Sequence, residues 1–112
     1  MADEEGLTDP TSRLMNQLGL LFDNKGLYAE AEPLMRRALA IDEDSFGKKH
    51  PEVAIDLNNL AQLLKDTNRL EEAEPLMRRA VEIFEKSLGP EHPNTQAGRK
   101  NLANLLQAKG VP

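Results

Sequence analysis

Residues 30–38 read EAEPLMRRA, and residues 72–80 read EAEPLMRRA again, at an offset of 42 positions. Outward from these two blocks the same offset continues in both directions. It pairs Asn16 with Asn58, Leu18 with Leu60, Gly47 with Gly89, His50 with His92, Pro51 with Pro93, and residues 59–61 with 101–103. A fixed period of this length is typical of a repeat array, in which each unit buries its apolar face on its neighbours. The chain is therefore built from copies of one unit.

Each unit contains two helical segments. In the first, Leu57, Leu60, Ala61 and Leu64 recur at spacings of three and four, as on one face of an amphipathic helix. The second segment repeats this pattern with Ala73, Leu76, Met77, Ala80 and Ile83. Two such helices joined by a short turn form an antiparallel pair.

Residues that start and stop helices lie between these segments. Pro51 and Pro93 suit the first position of a helix, because a proline there wastes no backbone N–H. Asp9 precedes Pro10 and is a good N-cap for the first copy. Gly47 and Gly89 are expected to end the second helices, where a left-handed residue is most easily placed.

The predicted fold is all-α, with five antiparallel helices that make about two and a half repeats and no strand. The predicted helices cover about residues 10–24, 27–45, 51–66, 69–87 and 93–108. Residues 1–9 are predicted to be an acidic, disordered N-terminus, residues 10–109 the repeat domain, and residues 110–112 a tail.

Composition disfavours several classes of protein. The chain has no cysteine, which rules out disulfides and cysteine-bound zinc. Its net charge is −5, and four acids in the first nine residues leave the rest at −1, so no basic surface for nucleic acid is expected. No apolar run approaches membrane-spanning length and no signal peptide is evident. These features predict a cytoplasmic protein that contacts neither membrane nor nucleic acid.

The motifs NNLAxL, EAEPLMxRA and LGxxHP resemble the 42-residue tetratricopeptide repeats of kinesin light chain, over about residues 10–109. Nothing resembles the heptad region of that family, so a motor role does not carry over. The resemblance implies a right-handed superhelix. In this family the first helices of the pairs line a concave groove that receives a peptide or a partner helix.

Polar residues on the first helices, away from the apolar stripe, are the candidate lining of such a groove. The predicted set is Asn16, Gln17, Leu20, Asn58, Asn59, Gln62, Lys65, Lys100, Asn101 and Asn104. An Asn side chain has both a donor and an acceptor, so a row of them can pair with the backbone of an extended peptide. The alternative is that these amides are solvated, or that they bond to neighbouring helices.

Two other repeated features have simpler interpretations. His50 and His92 are expected to cap the following helices rather than to bind metal, since no third zinc ligand is suitably spaced. Glu32 and Glu74 are expected to pair with Arg36 and Arg78 four residues later on a solvated face. No nucleophile with its base and no phosphate loop is recognised. The sequence therefore predicts no enzyme, no metal and no cofactor.

Both ends of the array are predicted to favour association, because each carries apolar residues that no other helix of the chain covers. The predicted self-association residues are Leu14, Leu18 and Leu21 in the first helix and Leu102, Leu105 and Leu106 in the last. Two explanations remain open. The chain is either a self-assembling homo-oligomer or part of a longer repeat protein whose other units cover these faces.

Overall fold

The computed structural model describes residues 10–110, which form five helices and no strand. The helices are α1 (Pro10–Asn24), α2 (Tyr28–Phe46), α3 (Pro51–Asp66), α4 (Leu70–Leu88) and α5 (Pro93–Ala108). The predicted all-α fold is confirmed, although α2 and α4 each begin and end one residue later than expected. The predicted disordered segment 1–9, the Asp9 cap and residues 111–112 of the tail lie outside the described residues.

Histidine caps start α3 and α5, as the repeated HP pairs predicted. His50 has extended backbone, and its Nδ1 accepts a hydrogen bond from the N–H of Glu52 at 3.1 Å. His92 makes the same bond with the N–H of Asn94 at 3.0 Å. Each bond satisfies a backbone donor that the first turn of a helix leaves without a partner. The histidines are therefore structural, and Pro51 and Pro93 follow them as first helical residues.

Residues in the left-handed region end the helices. Gly47 and Gly89 follow α2 and α4 with φ of 90° and 87°, as predicted. A second recurrent position follows the first helices, where Gly26, Asn68 and Gly110 have φ of 78°, 61° and 83°. A positive φ costs Gly little, and Asn tolerates it better than most residues. The same backbone turn therefore recurs once per repeat.

The core lies between the helices of each pair and between successive pairs. One buried cluster joins Met35 of α2, Leu60 and Leu64 of α3, Met77 of α4 and Leu105 of α5. A second joins residues of α3 and α4. α3 packs against both α2 and α4, whereas α5 packs mainly on α4. Each helix pair therefore depends on its neighbours for burial, as expected of a repeat array.

Small residues lie where two helices of a pair approach closely. A Cβ atom added to Gly19 of α1 would lie 2.9 Å from Met35 Cγ of α2, too close for any larger residue without a shift. Ala61 fills the equivalent site in α3 and is fully buried. Ala103 is exposed instead, because no second helix follows α5 among the described residues.

The expected exposure of the last helix is wrong for one of its three leucines. Leu105 has 0% exposure, because α4 covers it within the same chain. Leu102 and Leu106 are half-buried. Arg99 replaces the core residue Leu57 of the preceding repeat and forms an ion pair with Glu85 at 2.7 Å. The leucines of α5 are therefore covered in large part by the preceding helices.

Candidate partner-binding surface

The first helices lie side by side, with α3 in contact with both α1 and α5. We call the polar face that they share the first-helix face. Its members Gln17, Lys100 and Asn104 are exposed. The half-buried members are Leu20, Asn58, Asn59, Gln62, Lys65 and Asn101. Leu20 also packs against the core, so only part of its side chain faces outward.

Amide groups on this face divide into engaged and free ones. Asn101 Nδ2 donates a hydrogen bond to Asn58 Oδ1 at 2.9 Å, which joins α5 to α3. On this face, four amide side chains make no hydrogen bond with the described residues: those of Gln17, Asn59, Gln62 and Asn104. Because each carries a donor and an acceptor, the face offers unused hydrogen-bonding capacity on all three first helices.

Asn16 does not lie open on this face, which corrects its predicted place in the groove lining. The side chain is buried with 8% exposure, and its Nδ2 donates to Asp56 Oδ1 of α3. The alternative interpretation, an amide bonded to a neighbouring helix, holds for this residue. Its position points toward the α1–α3 contact instead of outward, so a bound peptide would not reach it.

A buried polar cluster behind the first-helix face was not predicted. Ser12 Oγ of α1 donates to Asp42 Oδ1 of α2 at 2.7 Å, and Asp42 also contacts Asp56 of α3. The pKa of Asp56 is raised from 3.8 to about 8, mainly by burial and then by the hydrogen bond and charge of Asp42. The bond from Asn16 opposes this shift, and the charge of Glu52 adds to it. This environment therefore favours the protonated form of Asp56.

A second carboxyl pair joins α1 to α3 near the C-terminal ends of both helices. Asp23 of α1 is buried with 8% exposure and faces Asp66 of α3. Burial, followed by the hydrogen bond and charge of Asp66, raises the pKa of Asp23 to about 6. Both pairs lie at the junction between the first and second repeats. The only signal of the first pair in the sequence is an acid at a core position, because Asp42 and Asp56 correspond to Phe84 and Gly98 in the next repeat.

The second helices present a different surface, cross-linked by ion pairs. Arg36 pairs with Glu32 at 2.8 Å and Arg78 with Glu74 at 2.7 Å, as the spacing predicted. Arg69 pairs with Glu32 at 2.6 Å and so joins successive repeats. The Arg69 hydrogen bond is the main cause that lowers the pKa of Glu32. Most of these charges therefore already have a partner within the chain.

An apolar stripe remains open on α1. Leu14, Leu18 and Leu21 are 62%, 42% and 47% exposed and lie on one side of the helix. The positions equivalent to Leu18 and Leu21 in α3 are Leu60 and Leu63, which are fully buried. The equivalent of Leu14 in α5 is Gly98, whose Cα region contacts Val81 and Phe84 of the preceding helix. The stripe therefore occupies the position that receives a preceding second helix elsewhere in the array.

None of the helices in residues 10–110 has the length and apolar content needed to cross a membrane.

No curated protein matches the sequence significantly. Among solved structures, the chain is similar to a kinesin-light-chain-like protein of Podosopora anserina with nearly identical TPR-like repeats. Identity is 28% and the TM-score is 0.81, over 92% of this chain and 50% of that one.

A second similar structure is BtubC (BKLC) from P. vanneervenii, with 26% identity and a TM-score of 0.81. The match covers 91% of this chain and 41% of that one. The chain thus spans half or less of the length of these structures. Their likeness supports the predicted right-handed superhelix of helix pairs. The family model for the tetratricopeptide repeat matches residues 10–86 and 57–110. The chain therefore belongs to the tetratricopeptide repeat family.

Proposed function

We propose that this chain is a protein-binding module that receives a peptide or a partner helix on its first-helix face. Tetratricopeptide repeats generally mediate contacts between proteins, and this chain belongs to that family. The observation that carries the proposal is the set of unengaged amides on α1, α3 and α5. Charges on the second helices, in contrast, are mostly paired within the chain.

Amide side chains suit the recognition of a peptide backbone. Asn59 and Gln62 lie on one face of α3, and Gln17 and Asn104 lie on the helices to either side. Each can donate to a carbonyl and accept from an N–H, so a bound segment would pair its backbone without a strict requirement on its sequence. Lys65 and Lys100 add positive charge, which favours acidic side chains in the partner.

The first test of this proposal removes amides from the face. A peptide array probed with the wild-type chain identifies a ligand, and calorimetry then compares its affinity for the wild type and for Asn59→Ala. We expect a loss of roughly 1–3 kcal/mol, because the partner's buried polar group would be left without a hydrogen bond. Unchanged affinity in the Asn59→Ala, Asn101→Ala double variant would contradict the proposed row of amides.

A control variant separates the first-helix face from the rest of the surface. Arg37→Ala alters an exposed residue of α2 for which no ion pair is seen within residues 10–110. This variant should bind the same ligand as tightly as the wild type. Since Asn101 bonds to Asn58, the double variant should also be checked for intact helix content by circular dichroism.

A second function, self-association through the α1 stripe, is favoured by the exposure of Leu14, Leu18 and Leu21. We propose that the partner is a second copy of this chain, which brings its own α1 stripe onto this one. Covering a stripe of this size removes apolar area from water at roughly 25 cal/mol per Å². A preceding repeat in a longer chain is the competing occupant, because that position is filled by α2 and α4 in the later repeats.

Light scattering at several concentrations tests the self-association. The wild type should approach the mass of a dimer as its concentration rises, whereas Leu18→Lys, Leu21→Lys should stay monomeric because two charges cannot be buried unpaired. Leu27→Lys alters a leucine of similar exposure, 42%, outside the stripe and should dimerise like the wild type. A wild-type chain that stays monomeric at high micromolar concentration would rule out the second copy.

A further inference from the structure

A pocket of about 530 Å³ lies between the α2–α3 turn and α4, away from the first-helix face. The turn contributes Lys48 and Lys49 to its lining. α4 contributes Arg79, Glu82, Ile83, Lys86 and Ser87, and no lining residue comes from α1, α3 or α5. The pocket is therefore a surface separate from the one to which we assign peptide binding.

Hydrogen bonds hold the backbone of the turn against α4. Arg79 Nη2 donates to the carbonyl oxygen of Lys48 at 3.1 Å and to Glu43 Oε2 at 2.7 Å. Ser87 Oγ donates to the carbonyl oxygen of Lys49 at 3.5 Å. The turn is thus fixed in place, and its two lysines are exposed residues of the pocket lining.

The lining carries positive charge that the described residues leave unneutralised. Lys48 and Lys49 form no ion pair within residues 10–110. Lys86 pairs with Glu82 at 3.3 Å, but both side chains are mostly exposed, at 72% and 65%, so the solvent weakens this pair. Three lysines and one glutamate therefore belong to the lining, in a chain whose net charge is −5.

Repeat packing does not require these lysines. The turn one repeat later has Pro90 and Glu91 at the positions of Lys48 and Lys49. In α2, the position equivalent to Lys86 is Asp44. Ile83 and Ser87, in contrast, recur as Ile41 and Ser45. Arg79 likewise recurs as Arg37. The apolar, hydroxyl and guanidinium groups of the pocket thus belong to the repeat, whereas its three lysines are specific to this one place.

We propose that the pocket binds a short acidic segment of a partner protein. Two carboxylates of the segment would pair with Lys48 and Lys49, and an apolar side chain between them would pack on Ile83 and the lysine stems. Nucleic acid fits less well, because a duplex presents an extended row of phosphates and needs a basic stripe to match. The pocket is confined to one turn and one helix.

The test uses the whole chain and a short fluorescein-labelled peptide in which glutamates flank a central leucine. Fluorescence anisotropy compares the wild type with Lys48→Glu, Lys49→Glu. We expect an affinity loss of roughly tenfold or more, because two attractions become repulsions, and a weaker affinity at higher salt. The matched control is Lys25→Glu, Arg37→Glu, which makes the same change in charge at exposed sites outside both the pocket and the first-helix face.

Each outcome supports or overturns the proposal. Loss of binding in the pocket variant and not in the control supports it. It is overturned if the wild type does not bind the peptide at millimolar concentration, if both double variants lose affinity equally, or if neither does. A DNA duplex that binds more tightly than the peptide and depends on the same lysines would also overturn it. If circular dichroism shows that the pocket variant is unfolded, Lys48→Gln, Lys49→Gln replaces it.

Discussion

Asp56→Asn is expected to stabilise the fold by on the order of 3 kcal/mol at pH 8. Asp56 is 1% exposed and contacts Asp42, so ionising it places two negative charges together in the core. An asparagine keeps the favourable part of the arrangement. Its carbonyl can accept from Asn16, as Asp56 Oδ1 does in the wild type, and its amide can donate to the neighbouring carboxylate of Asp42.

The sign of the pH dependence follows from the raised pKa. The folded state holds the proton of Asp56 up to about pH 8, whereas the unfolded chain releases it near 3.8. The contribution of this group is therefore complete below pH 3.8 and is lost as the pH rises toward 8. Asp23 adds a smaller loss between 3.8 and about 6. The wild type should be more stable at pH 5 than at pH 8.

Urea unfolding at pH 5 and pH 8 measures both effects. Asp56→Asn should show a smaller difference between the two conditions than the wild type, since the titrating group is gone. Asp44→Asn removes an exposed carboxylate of α2 that has no ion pair among the described residues, and it should keep the wild-type difference. Equal stability of the wild type at the two pH values would show that Asp56 does not hold its proton in the fold.

Gly98→Leu is expected to destabilise the fold by roughly 3 kcal/mol, because it overpacks the α4–α5 contact. A Cβ atom at this position would already lie 3.3 Å from Phe84 Cδ2 and 3.4 Å from Val81 Cγ2. A leucine would have to displace that ring. A leucine is not excluded from this position by the repeat itself, because Leu14 occupies the equivalent position in α1 and is 62% exposed there. The expected destabilisation arises from the contact of α5 with α4.

Ala97→Leu is the matched control for this substitution. It adds a larger side chain to the adjacent residue of α5, which is exposed, and should change the free energy of unfolding by less than about 0.5 kcal/mol. Thermal or urea unfolding of the two variants decides the question. If Gly98→Leu were as stable as the wild type, α5 would have to pack on α4 more loosely than the distances from Gly98 to Phe84 and Val81 indicate.

Repeated residues were the ones whose structure the sequence predicted well. His50 and His92 recur before proline, and this pairing predicted two helix caps. Features that occur once were missed. Asp42 and Asp56 are 14 residues apart, and nothing in their local pattern shows that the packing of α2 on α3 brings the carboxyls together. The same limit applies to Asn16, because it occupies the repeat position equivalent to Asn58 but donates a hydrogen bond to Asp56.

Leu105 shows a related limit at the end of the array. The repeat pattern indicated that no second helix follows α5, and the exposure of Ala103 agrees with this prediction. The repeat pattern did not show which side of α5 packs against the preceding helix, α4. Leu105 lies on that side and is buried by α4, whereas Leu14, Leu18 and Leu21 face the open end and stay exposed. The length of the repeat does not show which face of a terminal helix packs against the rest of the array. That packing decides which leucines are buried within the chain and which stay exposed.

NMR mapping of a bound peptide on the isotope-labelled chain tests the assignment of partner binding to the first-helix face most directly. The side-chain amide signals of Gln17, Asn59, Gln62 and Asn104 report on this face without any mutation. We expect them to shift on titration, together with backbone signals of α1, α3 and α5, while exposed positions of α2 and α4 stay unchanged. Shifts confined to α2 and α4, with the four amide signals unmoved, would contradict the assignment.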